Sequence, residues 1–459
     1  MEAHDQAMVI VSKRLQDLYA RREAFRVYHG STNSTRAIQK DGKQIIDTSD
    51  LNHVLAIDKA KMTALVEPNM PMDKFVEAAL RNGLVPLVVM EFPGITVGGG
   101  FSGPGRHGPF DSTVNWIEIV TPDGEIRRAS KTEDPDLFWG AASAFGTIGI
   151  VTLLEVRLQD ATQYLQEQVA DTSVEFVDGI VFSPSRSVIC AGRLVDTLPS
   201  GTSPRRYLGR RDPWFYLDVQ KRAAGSPSPV VDYVPLEDYL FRWDRGGFWV
   251  ARYPYRYFFT PFNRITRYAL DTFMHAHVMY HPKFAVIQDV GVPFDAVESF
   301  YEWLHQILHI YPLWLCPIRV RRYTPDAAHG LHADFADATK TPEVMLNFGV
   351  WGPGPNNYDE LVRLNRLTEH KVHELGGAKT LYAQAYYTEE EFYAINAHSR
   401  VCTVSIRLGV EGTTFCKRRA RFLAKITLFV AMVITSYFFI VGYIFINDTQ
   451  RFGFLFFLG

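Results

Sequence analysis

The sequence predicts an α+β protein built in two units, with an apolar helix at its carboxyl end. Three observations carry this. Up to about residue 160, short apolar runs alternate with one helical pattern and with glycine-bearing turns. From 161 to 395 the segments lengthen and become aromatic-rich. From Ile426 to Ile446 no residue is charged (ITLFVAMVITSYFFIVGYIFI), and at about 1.5 Å per residue such a helix spans roughly 30 Å, the thickness of a bilayer core.

The 459 residues are enough for two or three cores. A net charge of −2 argues against a polyanion partner, so no nucleic acid is expected, and 14% aromatic content suits an apolar or planar ligand. Four cysteines, Cys190, Cys316, Cys402 and Cys416, contain no CxxC pair, which fits a reducing compartment and predicts no metal site.

The first 25 residues lack the basic start and apolar middle of a signal peptide and predict an amphipathic surface helix. Phe25 to His29 predicts a strand that breaks at Gly30-Ser31-Thr32-Asn33-Ser34, where small polar residues leave donors for a ligand. Further strands are predicted at Gln44–Asp47 and Ala64–Glu67, then a helix over Asp73–Asn82 closed by Gly83, then apolar Leu84–Met90. Trp116–Val120, the turn Pro122-Asp123-Gly124 and Glu125–Ala129 predict a hairpin. Asp134 is expected to cap a helix that has Pro135 at its first position. Phe145 to Val151 brings a glycine pair to the start of a strand that runs through Arg157.

Between these lies the densest glycine stretch, PGITVGGGFSGPGRHGPFD from Pro93 to Asp111. It predicts a loop with positive φ at several glycines and with consecutive free N–H groups, an anion-binding concavity. Gly98-x-Gly100-x-x-Gly103 formally matches the dinucleotide fingerprint. That motif needs a helix to open where the phosphates lie, and Pro104-Gly105-Arg106-His107-Gly108-Pro109 cannot start one.

In the second unit, Ser200–Arg211 and Gly225–Val230 predict exposed loops. Trp249 to Tyr268 interleaves arginines with aromatics, as a pocket wall or a membrane-facing surface would. Residues 396–425 form a basic linker ending in Lys417, Arg418, Arg419, Arg421 and Lys425, ahead of the apolar helix at 426–446 and a tail at 447–459. Basic residues on that side predict a cytosolic amino-terminal part and a single membrane pass.

Five segments together give the sequence a family resemblance: His29 to Arg36 (HGSTNSTR), Glu91 to Gly103 (EFPGITVGGGFSG), Val114 to Gly124 (VNWIEIVTPDG), Asp136 to Thr152 (DLFWGAASAFGTIGIVT) and Leu381 to Phe392 (LYAQAYYTEEEF). They resemble the flavin-binding domain of the vanillyl-alcohol oxidase and p-cresol methylhydroxylase (PCMH) superfamily, and within it the Δ24-sterol reductases, particularly fungal-type members. The resemblance covers roughly residues 1–395.

It implies an FAD-binding PCMH-type domain over 1–160 and a cap over 161–395 that returns to the flavin domain. FAD would be held without a covalent link. The cofactor-binding residues it implies are His29, Gly30, Ser31, Thr32, Asn33 and Ser34; Thr96, Val97, Gly98, Gly99, Gly100, Phe101, Ser102, Gly103 and Gly105; and Gly146, Thr147, Ile148, Gly149 and Val151. The implied reaction passes a hydride from NADPH to flavin and on to a carbon–carbon double bond in the side chain of a sterol or related terpenoid, at the endoplasmic reticulum membrane. An isolated alkene also needs a proton donor, for which Tyr382, Tyr386 and Tyr387 are the candidates. An oxidase of an alcohol or other small molecule on the same fold, and a catalytically impaired membrane-tethered binding protein, are the competing readings.

Two features depart from the family. About half a dozen residues, hydroxyl- and carboxylate-bearing ones among them, are missing between Gly103 and Gly108, and after about Ile395 a basic stretch and an apolar run replace a soluble helical tail. Arg106 is the residue placed to substitute as a phosphate partner.

Overall fold

The computed structural model describes residues 2–23, 25–30, 44–103, 110–142, 146, 148–161, 164–167, 176–225, 230–278, 285–319, 344–380 and 383–395. Helix α1 (Glu2–Ala20) buries Met8, Val11, Leu15 and Leu18. Their spacing of three and four makes one stripe, and it packs on Ile46, Val120 and Ile150. Strands β1 (Arg26–Tyr28) and β2 (Ile45–Asp47) pair in parallel beside it.

The first sheet contains β3 (Val54–Asp58), β4 (Thr63–Val66), β5 (Leu84–Pro86), β6 (Val114–Val120), β7 (Ile126–Ser130) and β8 (Ile150–Asp160). Its order is β3-β4-β8-β6-β7, with β5 also on β8, and every pairing is antiparallel. That topology excludes a doubly wound dinucleotide fold, whose strands run parallel. The β6–β7 hairpin turns as expected: Gly124 takes φ 84°, and the Thr121 hydroxyl donates to Asp123 Oδ1 at 2.5 Å. The sequence did not announce β3, whose half-buried edge position leaves no clean alternation.

Helix α2 (Met72–Leu80) buries Met72, Phe75, Val76 and Ala79 under this sheet, and the backbone leaves it at Gly83, φ 74°. The short α3 (Val97–Ser102) follows β5. Helix α4 (Pro135–Ala141) begins after Asp134, but not by the expected cap. Asp134 sits left-handed at φ 49°, a conformation a short polar side chain tolerates, and its carboxylate makes no capping hydrogen bond. Its carbonyl instead accepts from the Leu137 and Phe138 N–H groups at 3.1 Å.

The second sheet holds β9 (Tyr164–Glu167), β10 (Phe176–Ser183), β11 (Arg186–Val195), β12 (Asp232–Pro235), β13 (Ala285–Pro293), β14 (Leu313–Arg319), β15 (Val344–Pro353) and β16 (Ala378–Lys379), in the order β12-β9-β11-β10-β14-β15-β13-β16. All its pairings are antiparallel. Around it lie α5 (Phe215–Gly225), α6 (Leu236–Leu240), α7 (Arg252–Tyr257), α8 (Arg264–Val278), α9 (Val297–Ile307), α10 (Tyr358–Glu374) and α11 (Glu389–Ile395).

Side chains alternate between the two faces of a strand, and here the faces differ sharply. Val286, Val290, Val292, Phe348 and Val350 meet Phe300, Leu304, Leu361 and Val372 of α9 and α10. The opposite face meets an aromatic cluster that includes Trp214, Trp243, Phe248, Trp249, Trp314 and Trp351.

The stretch 200–211 is mostly exposed as expected, yet Tyr207 is buried and its N–H donates to Asp238 Oδ1 at 2.7 Å. Most of the 225–230 loop lies outside the described residues, as do 396–425, 426–446 and 447–459. Among the described residues, no helix is long and apolar enough to cross a membrane.

Candidate functional site

The glycine stretch is not the open loop that its composition predicts. Gly98, Gly99 and Gly100 lie inside α3, and Gly103 ends it at φ −81°. Glycine is required there for space rather than for the sign of φ. A Cβ at Gly98 would come within 2.6 Å of Pro68 Cβ and 2.9 Å of the Pro68 carbonyl, and one at Gly100 would overlap the Met90 methyl. The first N–H groups are also taken. Val97 donates to Met70 O, Gly98 to Pro68 O and Gly100 to Thr96 O, while the Thr96 hydroxyl caps the helix by accepting from Gly99 N at 3.0 Å. No anion nest remains over Val97–Gly100. What α3 offers a ligand is a bare backbone surface, with Gly99 exposed.

The other predicted elements gather about this helix. Phe101 packs edge-on against Phe138 at 5.4 Å, and Val97, Phe101, Ile148 and Val151 share one core. Gly149 lies so close to the Val120 carbonyl that a Cβ would sit 2.7 Å from it, whereas at Gly146, φ 71°, the Gly149 carbonyl at 3.9 Å is the nearest such atom among the described residues beyond the chain neighbours. Gly30, at φ 72°, backs onto Ser49. Next to Ser49, Thr48 accepts from the Asn69 amide through its carbonyl and its hydroxyl, and Pro68 accepts from Gly98. A continuous path of turns therefore ties Gly30 to the start of α3. His29 is half-buried, and that burial holds its imidazole below the ordinary value. Ser31, Thr32, Asn33, Ser34, Gly105, Arg106 and Thr147 lie outside the described residues, as does Tyr382.

Facing this unit, the second sheet carries a row that the sequence patterns do not reveal. Cys316 on β14 is the direct partner of Asn347 on β15, and Asp289 on β13 opposes Gly349, two residues along β15 on the same face. The Asn347 amide donates to Asp289 Oδ1. Asp178 on β10 continues the row and receives Arg242 at 2.7 Å, with the Trp243 and Trp314 indoles at 3.3 and 3.4 Å.

Burial pushes the Cys316 thiol up, and the nearby charges of Asp178, Glu91 and Asp289 add to this. Glu91 belongs to the first unit, and its neighbour Phe92 meets Phe248 at 5.9 Å, so the two units approach each other at this row. Beside it stand Trp314, Trp351 and Phe248, with ring centroids 4.3 to 5.8 Å apart. The sequence shows only that polar residues, Gln288 and Asp289 in β13 and Asn347 in β15, interrupt two mostly apolar strands, without showing which of them share a face.

Tyr386 and Tyr387 follow β16. The Tyr386 N–H donates to Glu369 and its carbonyl accepts from Arg366, while its ring lies 5.7 Å from Lys379 Nζ. Burial pushes its phenol well above the usual range, which keeps it protonated. Lys379 in turn donates to Glu369 Oε1 at 2.6 Å and to the Gln384 carbonyl at 2.5 Å. A buried ion pair thus pins the segment that carries these tyrosines.

A planar cofactor with a phosphate tail fits this arrangement. Gly146 takes a left-handed backbone at φ 71° and backbone is exposed at Gly99, while across the junction the buried Asp178 Oδ1 and Asn347 Oδ1 have no hydrogen-bond partner among the described residues.

Residues 10–130 match the family described as an FAD binding domain. Over 320 residues the protein is 28% identical to Delta(24)-sterol reductase of Arabidopsis thaliana, covering 59% of its own length and 56% of that protein. It is 25% identical over 399 residues to Delta(24)-sterol reductase of Homo sapiens, covering 79% and 74%. A shorter stretch of 93 residues is 37% identical to cytokinin dehydrogenase 4 of Oryza sativa subsp. japonica, covering 19% and 18%. The aligned part thus spans little more than half of the plant reductase and about three quarters of the human one.

Proposed function

We propose that this protein, which belongs to the Δ24-sterol reductase family and carries an FAD-binding domain, reduces a carbon–carbon double bond in the side chain of a sterol or related terpenoid with hydride drawn from NADPH. The observation that carries the reading is the junction of the two units, where a polar row lies beside a tryptophan-rich wall. Apolar walls with a few fixed polar groups suit a large hydrocarbon substrate. Bound FAD would supply the hydride relay. The protein would hold it against Gly30, α3 and the Gly146–Val151 turn.

The remaining chemistry falls to protein groups. Trp314, Trp351 and Phe248 exclude water and orient an apolar substrate tail. The protonated thiol of Cys316 presents a neutral surface rather than a nucleophile. Tyr386 and Tyr387 are the described candidates for delivering the proton, with Tyr382 the third. Support for a membrane location comes from the uncharged run 426–446 after a basic stretch. We place the protein at the endoplasmic reticulum, with its large amino-terminal part in the cytosol.

Purified full-length protein tests the reading. It should show flavin absorption, bleach anaerobically with NADPH and recolour on adding a sterol with a Δ24 double bond. Bleaching by an alcohol but not by NADPH would favour an oxidase, and colourless folded protein that does not take up FAD would favour a binding protein. Protease treatment of intact microsomes should digest the large domain.

A further inference from the structure

We propose that α7 and α8 form an interfacial membrane contact, which lays its aromatic tip into a bilayer surface bearing anionic headgroups. The two helices pack together, joined by residues 258–263. Their inner side is anchored: Tyr255 is buried, and the Phe262 ring lies 5.2 Å from both Trp214 and Tyr255. Their outer side faces solvent. Tyr257, Phe258, Phe259, Ile265, Tyr268 and Phe273 are all exposed, Phe259 at 95% and Ile265 at 79%. Ring contacts at 5.0 Å between Tyr257 and Phe258, and at 5.5 Å between Phe258 and Phe273, make much of this one patch rather than scattered residues.

Phe259 also has φ 50°, a left-handed turn position that glycine would occupy with less strain. Its ring gains almost nothing in water from being there. A rigidly mounted aromatic tip of this kind is suited to an apolar medium.

Charge selects the medium. Between Asp244 and Asp271 lie five arginines and no acidic residue; Arg245 pairs with Asp271 and Arg267 stacks on Trp214 and Phe262, while Arg252, Arg256 and Arg264 are exposed beside the aromatics. Aromatics at headgroup depth with arginines around them match a lipid–water interface with negative surface potential. This contact is separate from the 426–446 run and independent of the reaction proposed above.

Full-length protein in phosphatidylcholine nanodiscs, with or without phosphatidylserine, tests it by hydrogen exchange and by crosslinking to a photoactivatable lipid. Peptides covering 257–268 should exchange more slowly in the anionic discs, regain exchange on adding salt, and carry lipid adducts. Phe259→Ser should remove the adducts while the rest of the exchange map is unchanged. Arg256→Gln and Arg264→Gln should each weaken the anionic preference about fivefold. Adducts confined to 426–446, with 257–268 exchanging as fast in discs as in detergent, would overturn the proposal. So would protection of 257–268 that is the same in detergent as in either lipid, which would mean that protein, from the same molecule or a second copy, covers the patch.

Discussion

His4, on the first turn of α1, is 3% exposed and lies between two carboxylates, 2.9 Å from Glu67 Oε1 and 3.1 Å from Glu118 Oε1. The hydrogen bonds to Glu118 and then Glu67 outweigh burial and raise its pKa to about 9, from 6.5. Burial alone would raise both carboxylates, but the bonds from His4, joined by His53 at Glu67 and Thr152 at Glu118, bring them below the ordinary value. The imidazolium thus fastens α1 to the residue that follows β4 and to β6. Because the folded pKa is the higher one, its stabilisation is complete below about pH 6.5 and is lost as pH rises through about 9. We expect the wild type to lose up to about 3 kcal/mol of stability across that window, read as a falling melting temperature, and His4→Gln to flatten the profile there. A parallel loss in both proteins would exclude the clasp. Near the other end of the described residues, Lys379→Met would strand the buried Glu369 carboxylate, at a cost of about 3–5 kcal/mol, and release the Tyr386 N–H. Lower thermal stability together with weaker flavin retention is the expected reading, with Glu369→Gln milder on both.

At the scale of elements, α3 decides how far composition can be trusted. Three successive glycines read as a loop because the helix pays about 1 kcal/mol for each relative to alanine. Close packing on Pro68 and Met90 overrides that preference. Helix α2 and the β6–β7 hairpin were legible because their signals are local: an apolar stripe in one, Asp-Gly at a turn in the other. The row of Asp178, Asp289, Cys316 and Asn347 was not, since these residues meet only when four distant strands pair. The three glycines of α3 should behave differently. Gly98→Ala presses a Cβ onto the backbone of Pro68 and should destabilise the protein by about 1–3 kcal/mol. Gly99 is exposed and its nearest neighbour is the capping Thr96 hydroxyl at 3.0 Å; alanine's gain in helix propensity of about 1 kcal/mol opposes the push on that cap, worth about 1 kcal/mol, so Gly99→Ala should melt close to wild type yet bind FAD more weakly. Equal flavin affinity in that variant would remove α3 from the cofactor surface.

For the whole molecule, the central question is whether the two sheets behave as one body, because the proposed site lies between them. Phe241, just after α6 of the second unit, is 2% exposed and sits within the core of the first, with Leu208 and Leu240 against the same cluster. Phe92 reciprocates by packing on the aromatic cluster of the second unit. Each unit therefore completes the other's core, and the wild type should unfold in a single transition with flavin release. Six of the eight tryptophans, all but Trp116 and Trp139, belong to the second unit, so their fluorescence reports its unfolding separately from loss of the cofactor. Phe241→Ala leaves a large cavity at the seam, at a cost of about 3–5 kcal/mol. In that variant flavin release should precede the tryptophan transition, with the second sheet still folded when the cofactor leaves. Coincident transitions at a uniformly lower temperature would instead mean that Phe241 stabilises one indivisible core, and that the junction has no separate hold on the cofactor.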